Sequence, residues 1–189
     1  MMTDDAQLLT RAKALDPMAL KALHQQFYEP VARYIQFKVG DPPTVEDLTG
    51  EVFVRIIESL RRGNSWQDSP RGWIMGIARN VVADHYRRRE RMPEVMLDEA
   101  VVSAEDSDPT HQATQNERKR LLLHALRHLT EEQRDVVLMR FLKEMDIQSV
   151  AEAVAKTPGA VKALQHRALR TLAERLQGLN VESGSGENE

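Results

Sequence analysis

Apolar residues recur at intervals of three or four along much of the chain, which is the spacing of helices that bury one face. A first helix is predicted after Asp16-Pro17, where the aspartate is the N-cap and the proline takes the first helical position. Pro30 is expected to kink this helix, because proline lacks the N–H that bonds one turn back. The predicted buried face consists of Leu20, Leu23, Phe27 and Val31.

Two more helices are predicted before residue 91. The sequence GDPP at 40–43 breaks the chain, and Thr44 with Asp47 forms a weak capping box that is predicted to open the second helix. A loop at 61–68 precedes a third helix that restarts at Ser69-Pro70. The predicted apolar stripes are Leu48, Val52, Ile56 and Leu60 in the second helix, and Ile74, Ile77, Ala78, Val81 and Val82 in the third.

The C-terminal half carries a short helix, a tight turn and a longer helix, which is the helix-turn-helix pattern. Thr130 and Gln133 form a capping box, residues 147–155 form the short helix, and Thr157-Pro158 opens a last helix that is predicted to end near Leu176. The predicted buried residues of this half are Leu122, Leu126, Leu129, Val136, Val137, Leu138, Phe141, Val161, Leu164, Ala168 and Leu172.

These patterns predict an all-α protein with two small helical domains joined by an acidic linker, the second domain being a helix-turn-helix. The predicted boundaries are 1–91 for the first domain, 92–115 for the linker and 116–177 for the second domain. Residues 178–189 are polar and contain Gly and Ser, so they are predicted to be disordered.

Charge is distributed in blocks, although the whole chain has a formal net charge of only -3. Residues 61–91 hold 8 Lys/Arg against 3 Asp/Glu, residues 92–117 hold 7 acids and no Lys/Arg, and residues 118–178 hold 12 Lys/Arg against 7 acids. Two basic blocks therefore flank an acidic one. Such local charge, rather than the total, determines which surfaces attract phosphate.

Composition excludes several kinds of chemistry. The chain has no cysteine, so it has neither disulfides nor thiolate zinc sites nor thiol nucleophiles. His124, His128 and Glu132 lie at i, i+4 and i+8, but no further ligand accompanies them, and a solvated helix face explains them better than a metal site. No phosphate-binding glycine loop, catalytic triad or zinc-protease motif occurs, so neither catalytic residues nor a cofactor is expected.

The N-terminal sequence lacks the basic and apolar regions of a signal peptide. No apolar run reaches the length of a membrane span. A cytoplasmic protein is therefore expected.

The last predicted helix has the features of a DNA recognition helix. Its side opposite the apolar stripe is basic, and a Thr157 N-cap followed by proline leaves first-turn N–H groups free to meet phosphate. An ordinary amphipathic surface helix would also place basic residues outward, and this alternative stays open. The candidate DNA-binding residues are Thr157, Lys162, Gln165, His166, Arg167 and Arg170.

The third predicted helix and the loop before it combine aromatic rings with Arg and Asn. An unstacked DNA strand requires this combination, because rings stack on bases and guanidinium groups bind phosphate. A core Trp beside a solvated run of Arg is the alternative. The candidate strand-binding residues are Asn64, Ser65, Trp66, Arg71, Trp73, Arg79, Asn80, Asp84 and Arg87.

Four segments in order resemble the extracytoplasmic-function (ECF) class of bacterial RNA polymerase sigma factors, over about residues 5–177. They are VEDLTGEVFVRIIESL, GWIMGIARNVVADHYRRRER, LRHLTEEQRDVVLMRFL and VAEAVAKTPGAVKALQHRALRTL. The chain departs from the family pattern at Gly50, where Gln is common, and at Ala155, which replaces the usual Gly of the helix-turn-helix bend.

The resemblance implies three surfaces. The first docks core RNA polymerase and includes Asp47, Leu48, Thr49, Glu51, Val52 and Phe53. Asn64, Ser65 and Trp66 fall in the loop that captures a flipped base of the minus-ten element, with Arg79 and Asn80 on the melted strand. Lys162, Gln165, His166 and Arg167 fall on the helix that reads the minus-thirty-five duplex.

The resemblance further implies three partners: core RNA polymerase, promoter DNA and an anti-sigma factor. A sigma factor would recognise a bipartite promoter and promote its opening without hydrolysing anything. The alternative is a stand-alone helix-turn-helix regulator in which residues 1–91 form a dimerisation or sensor module. A helical enzyme is a third option, for which the sequence offers no catalytic constellation.

Overall fold

The computed structural model describes residue 8 and residues 10–66, 69–89, 121–142 and 144–184. The predicted acidic linker at 92–115 and the last part of the predicted tail, 185–189, lie outside the described residues. All regular structure within the described ranges is helical, as predicted. The elements are α1 Pro17–Val39, α2 Pro42–Arg61, α3 Pro70–Arg89, α4 Glu131–Val137, a π-helical turn Leu138–Leu142, α5 Ile147–Ala153 and α6 Pro158–Gly184.

Short polar side chains define most helix starts. Asp16 caps α1 by accepting from the Ala19 N–H at 2.9 Å, as predicted. The predicted capping box of Thr130 and Gln133 is confirmed at the start of α4. Each cap satisfies backbone N–H groups that have no partner within the helix.

The predicted start of α2 is wrong by about three residues. Asp41, not Thr44, is the N-cap, and its carboxylate accepts from both the backbone N–H and the hydroxyl of Thr44. Pro42 and Pro43 then occupy the first helical positions, where a missing N–H costs nothing. The sequence GDPP at 40–43 is therefore both the break and the beginning of the next helix.

Helices α1, α2 and α3 pack on one another and bury the predicted stripes. Every residue of the α2 stripe is buried, as are Leu23, Phe27 and Val31 of α1. Leu20 and Ile77 are only half-buried and lie at the edge of this core. Pro30 lies within the single helix α1.

In the C-terminal half, α6 packs against α4 and α5, and the predicted buried stripe of α6 is confirmed. Leu122 and Phe141 were predicted to be buried but are 45% and 54% exposed. Phe141 lies in the π-helical turn, whose wider winding rotates it off the face that Val136 and Val137 bury. Helix α6 extends to Gly184, beyond the predicted end near Leu176, so residues 178–184 are helical where the sequence predicted disorder.

The two halves share one hydrophobic core. Helix α3 lies directly against α5, and one buried cluster contains Ile74 and Met75 of α3 together with Met139, Met145 and Val150. Nothing in the hydrophobic pattern predicted this interface, since each half has its own amphipathic helices. It brings the first half of the helix-turn-helix onto the helix that carries the candidate strand-binding residues.

Candidate nucleic-acid interface

The predicted recognition helix presents its basic face to solvent. Lys162, His166, Arg167 and Arg170 are exposed on α6, opposite its buried stripe. Thr157 precedes the helix, and its hydroxyl accepts from the Ala160 N–H at 3.2 Å. Three cations on one exposed face, beside a capped helix N-terminus, form a surface suited to a phosphate backbone and base edges.

Two of the candidate residues on this helix are engaged by neighbours. Gln165 is half-buried and its amide oxygen accepts from Arg140 Nε at 3.2 Å. Arg170 donates to Glu174 at 2.9 Å, an exposed i,i+4 ion pair. Such exposed pairs contribute little energy, so Arg170 is readily available to another anion.

The turn of the helix-turn-helix holds a non-glycine residue in a left-handed conformation. Ala155 has a φ of 52°, a value that L-residues other than Asn and Asp rarely adopt. The bend therefore has the geometry that glycine normally supplies, although the sequence places alanine there.

Trp66 is buried in this structure. Its ring makes an edge contact with Trp73, with centroids 5.6 Å apart, and Lys13 Nζ lies 4.5 Å from its ring centroid. Asn64, two residues earlier, is exposed, and Ser65 is half-buried. The loop therefore presents an amide to solvent, while the indole predicted to stack on a base is covered.

Some candidate residues on α3 are exposed to solvent, and others are bound by side chains of the protein itself. Asn80 and Arg87 are exposed, as is Arg71. Arg79 Nε donates to Asp135 at 2.9 Å, so this cation is committed to α4. Asp84 binds Arg55 at 2.7 Å and also pairs with Arg87; the hydrogen bond from Arg55 lowers the pKa of this carboxyl group.

The arginine-rich end of α3 is partly neutralised from within. Arg88 lies 3.3 Å from Glu51 of α2, and the remaining cations, Arg87 and Arg89, end the helix. Positive charge at a helix C-terminus is favoured by the helix dipole. Burial, followed by the charges of Arg89 and Arg88, lowers the pKa of the neighbouring His85.

The predicted polymerase-docking segment on α2 has one fully available acid. Asp47 is exposed, whereas Glu51 pairs with Arg55 and Arg88. Four of its predicted members face the core. They are Leu48, Thr49, Val52 and Phe53. These residues support the exposed surface from beneath.

Sequence reasoning missed an aromatic cluster beside this segment. The His24 ring lies 4.4 Å and the Tyr28 ring 6.3 Å, centroid to centroid, from the ring of Phe53. Tyr28 and Val54 are 42% and 55% exposed. The i,i+4 spacing of His24 and Tyr28 on α1 was the available signal, but nothing in the sequence placed α1 beside Phe53.

A buried charge cluster joining the two halves was also missed. The Asp135 carboxylate is fully buried and accepts from Tyr34 Oη at 2.9 Å, Lys38 Nζ at 2.8 Å and Arg79 Nε at 2.9 Å. Burial, followed by the charge of Asp135, raises the pKa of Tyr34 well above its usual value. The available signal was a Lys and an Asp at positions adjoining buried stripes, next to Val39 and Val136.

Within the described residues, no cluster of side chains is suited to bind a metal ion. The rings of His124 and His128 lie 5.1 Å apart, but no group of three His, Cys, Asp or Glu suited to a metal occurs in the ranges that the structure describes. Across the same ranges, every helix is too short or too polar to cross a lipid bilayer.

A helical chain whose second half is a helix-turn-helix with an exposed basic face has the architecture of a DNA-binding protein. Two family models match the chain in order: Sigma-70 region 2 over residues 23–92 and Sigma-70 region 4 over residues 119–172. The ECF RNA polymerase sigma factor BldN of Streptomyces coelicolor is 36% identical over 90% of this chain, which covers 65% of BldN. SigX of Bacillus subtilis, also an ECF sigma factor, is 28% identical over 85% of this chain and 84% of its own length.

One solved structure supports the fold. CnrH, in complex with the cytosolic domain of CnrY, superposes with a TM-score of 0.66 at 18% identity and covers 90% of this chain and 96% of CnrH. A structure of the RsbN–BldN complex aligns at 32% identity over 88% of this chain and 97% of that one, with a TM-score of 0.37. The chain belongs to the sigma-70 family and is an ECF sigma factor, a factor of transcription initiation.

Proposed function

We propose that this sigma factor binds core RNA polymerase, recognises a bipartite promoter and promotes opening of the DNA. In this proposal α6 reads the minus-thirty-five duplex, the loop at 62–66 and α3 hold the melted minus-ten strand, and the α2 surface around Asp47 docks the polymerase. Because core polymerase and promoter DNA share the bacterial cytoplasm, the protein acts there. Melting is driven by binding energy for unstacked bases, with no hydrolysis.

The observation that carries the proposal is the exposed basic face of α6 in a chain that matches both sigma regions in order. A recognition helix alone suits any helix-turn-helix regulator. Together with exposed Asn80 on α3 and exposed Asp47 on α2, it supplies a candidate surface for each of the three proposed contacts, with duplex DNA, with the melted strand and with core polymerase. An anti-sigma factor is proposed as a further partner because the resemblance to the ECF class implies one.

Run-off transcription with purified core polymerase on a promoter library tests the proposal. Transcripts that depend on the added protein, from templates sharing two separated sequence elements, are the expected result. A stand-alone regulator would instead bind naked duplex tightly, commonly as a dimer on a palindrome. Silence in transcription together with tight duplex binding would therefore favour the regulator.

A further inference from the structure

An arginine on α2 lies between the proposed docking segment and the basic end of α3, and it belongs to neither set of candidate residues. Arg55 donates from Nη1 to Asp84 Oδ2 at 2.7 Å and from Nη2 to Glu51 Oε1. Its guanidinium group therefore bridges two carboxylates, one on α2 and one on α3. Arginine suits this position because its planar group offers N–H donors in more than one direction.

Each of these carboxylates also holds one arginine at the end of α3. The second oxygen of Asp84 accepts from Arg87, and the second oxygen of Glu51 lies 3.3 Å from Arg88. The five side chains form a continuous row, which we call the α2–α3 charge network: Arg87, Asp84, Arg55, Glu51 and Arg88. Arg55 lies at the centre of this row.

The network explains why a carboxylate lies within a surface that is proposed to bind a polyanion. Asp84 alone would repel a DNA phosphate. The hydrogen bond from Arg55 lowers the pKa of Asp84, so this carboxyl group stays ionised at neutral pH. With three arginines and two carboxylates, the network nevertheless has a net charge of +1. This charge is accessible, because the side chains of Arg87 and Arg88 are 69% and 63% exposed.

A carboxylate that holds an arginine in place lowers the cost of binding phosphate. A free arginine loses rotamer freedom when it binds an anion, whereas an arginine that is already held loses less. Each guanidinium group has five N–H donors, so Arg87 can keep its bond to Asp84 and still donate to a phosphate. Both carboxylates are in turn held by Arg55, which binds one oxygen of each.

The network is not needed to join α2 to α3. The two helices already share the hydrophobic core, in which Val52, Ile56 and Val81 are almost fully buried. Every side chain of the network is at least 30% exposed, and ion pairs of such exposure add little to folding stability. The arrangement therefore matters more for the position of the exposed arginines than for the fold.

We infer that Arg55 is a positioning residue for strand binding: it fixes the two carboxylates of the network, and these hold Arg87 and Arg88 where they bind the phosphates of the melted strand. The inference rests on the proposed function, which places that strand on α3. It changes the role of Asp84, which acts through Arg87 instead of contacting DNA. Glu51 likewise acts through Arg88.

Arg55→Lys tests the inference because it keeps the positive charge and removes the bridge. Lysine carries a single ammonium group, which does not reproduce the planar, two-sided geometry of a guanidinium group. Arg33→Lys is the matched control, since Arg33 is an exposed arginine of α1 that pairs with Glu29 and lies outside every predicted DNA contact. Thermal unfolding checks that both variants remain folded.

Strand binding is measured on holoenzyme reconstituted from core polymerase and the full chain. The probe is a forked DNA fragment whose single-stranded arm carries the downstream promoter element found by run-off transcription. We expect Arg55→Lys to weaken binding about fivefold and Arg33→Lys to leave it unchanged. Unchanged affinity in Arg55→Lys would overturn the inference, because charge alone would then suffice. An equal loss in Arg33→Lys would overturn it as well.

A mutant cycle separates positioning from a merely structural role. In a protein that carries Arg87→Gln and Arg88→Gln, the further change Arg55→Lys should cost no additional affinity, because the arginines through which Arg55 acts are gone. A second loss of about fivefold in that background would show that Arg55 acts by another route, and the inference would be wrong.

NMR relaxation of the full chain without polymerase measures the positioning itself. We expect the order parameters of the Nε–Hε groups of Arg87 and Arg88 to fall in Arg55→Lys and to stay unchanged in Arg33→Lys. Unchanged order in Arg55→Lys would overturn the inference, whatever the transcription result. Loss of order together with absent run-off transcription would instead count against the proposed function, so the two failures are distinguishable.

Discussion

Single residues show where the chain uses glycine for its conformation and where it does not. Gly50 lies inside α2 with no atom near enough to contact an added Cβ, and Gly63 is equally open but has a φ of 79°. The two positions differ in backbone conformation and not in the room available for a side chain. They form a matched pair for measuring the cost of glycine in a helix against its benefit in a left-handed turn.

We expect Gly50→Ala to stabilise the protein by about 1 kcal/mol, because glycine in a helix interior loses more backbone entropy than alanine. Thermal unfolding should show a melting temperature higher by about 2–4 °C. Gly63→Ala is the control and should destabilise the protein by about 1 kcal/mol, because alanine is strained at positive φ. A lower melting temperature for Gly50→Ala would contradict the assignment of an open helical site.

Asn80 tests strand capture more cleanly than Trp66 does. Asn80 is exposed, whereas truncating the buried Trp66 would also damage the core. We expect Asn80→Ala to slow promoter opening about five- to tenfold by removing one base-edge hydrogen bond, with binding to closed duplex promoter little changed. Permanganate footprinting measures opening, and a gel-shift assay measures closed binding.

Gln26 supplies the control for Asn80. It is an exposed amide on α1, in no predicted contact with DNA, and Gln26→Ala should leave opening at the wild-type rate. Equal losses in opening and in closed binding for Asn80→Ala would contradict its assignment to the melted strand.

At the scale of helices, α2 packs one side against the core and exposes one acid, Asp47, on the surface that is proposed to dock the polymerase. Glu51 is a poor target for charge reversal, because it pairs with Arg55 and Arg88 and its loss would disturb the α2–α3 contact. Asp47 is exposed with its carboxylate in solvent. It is the better test of the docking surface.

We expect Asp47→Arg to weaken binding to core polymerase about tenfold, because the reversed charge would repel the cations that an acidic docking surface attracts. Glu46→Arg changes net charge equally one position along the same helix and is the matched control. It should shift affinity by about twofold or less. Biolayer interferometry on immobilised core enzyme measures both. Equal affinities for the two variants would move the docking surface elsewhere.

Helical periodicity predicted the elements well because each helix buries a regular stripe, as Val52 and Ile56 do in α2. It failed where winding changes, as at Phe141 in the π-helical turn, and where a neighbouring cap competes, as Asp41 does with Thr44. The resemblance supplied candidate site residues, but their burial could not be predicted. Trp66 is covered by Trp73, which is near it in sequence, and by Lys13, which is distant, and the local pattern had left a core Trp as an open alternative.

At the scale of the whole molecule, the shared core and the Asp135 cluster make one folding unit of two sequence domains. Hydrophobic residues of both halves belong to one buried cluster, and Lys38, Tyr34 and Arg79 reach across the interface to one carboxylate. Calorimetry of the wild-type protein should therefore show a single cooperative transition.

Asp135→Ala should separate the two halves. The variant leaves the buried Lys38 with only a longer contact, 3.7 Å, to the exposed Glu131, which costs up to about 3–5 kcal/mol, so we expect two calorimetric transitions in place of one. Asp84→Ala is the control. Asp84 also forms ion pairs, but its side chain is 32% exposed and its partners belong to the first half of the chain, so its loss should cost about 1 kcal/mol or less. Adding Lys38→Met to Asp135→Ala removes the poorly compensated buried charge and should recover part of the loss. One transition at the wild-type temperature in Asp135→Ala would show that the Asp135 cluster contributes nothing to the coupling of the two halves.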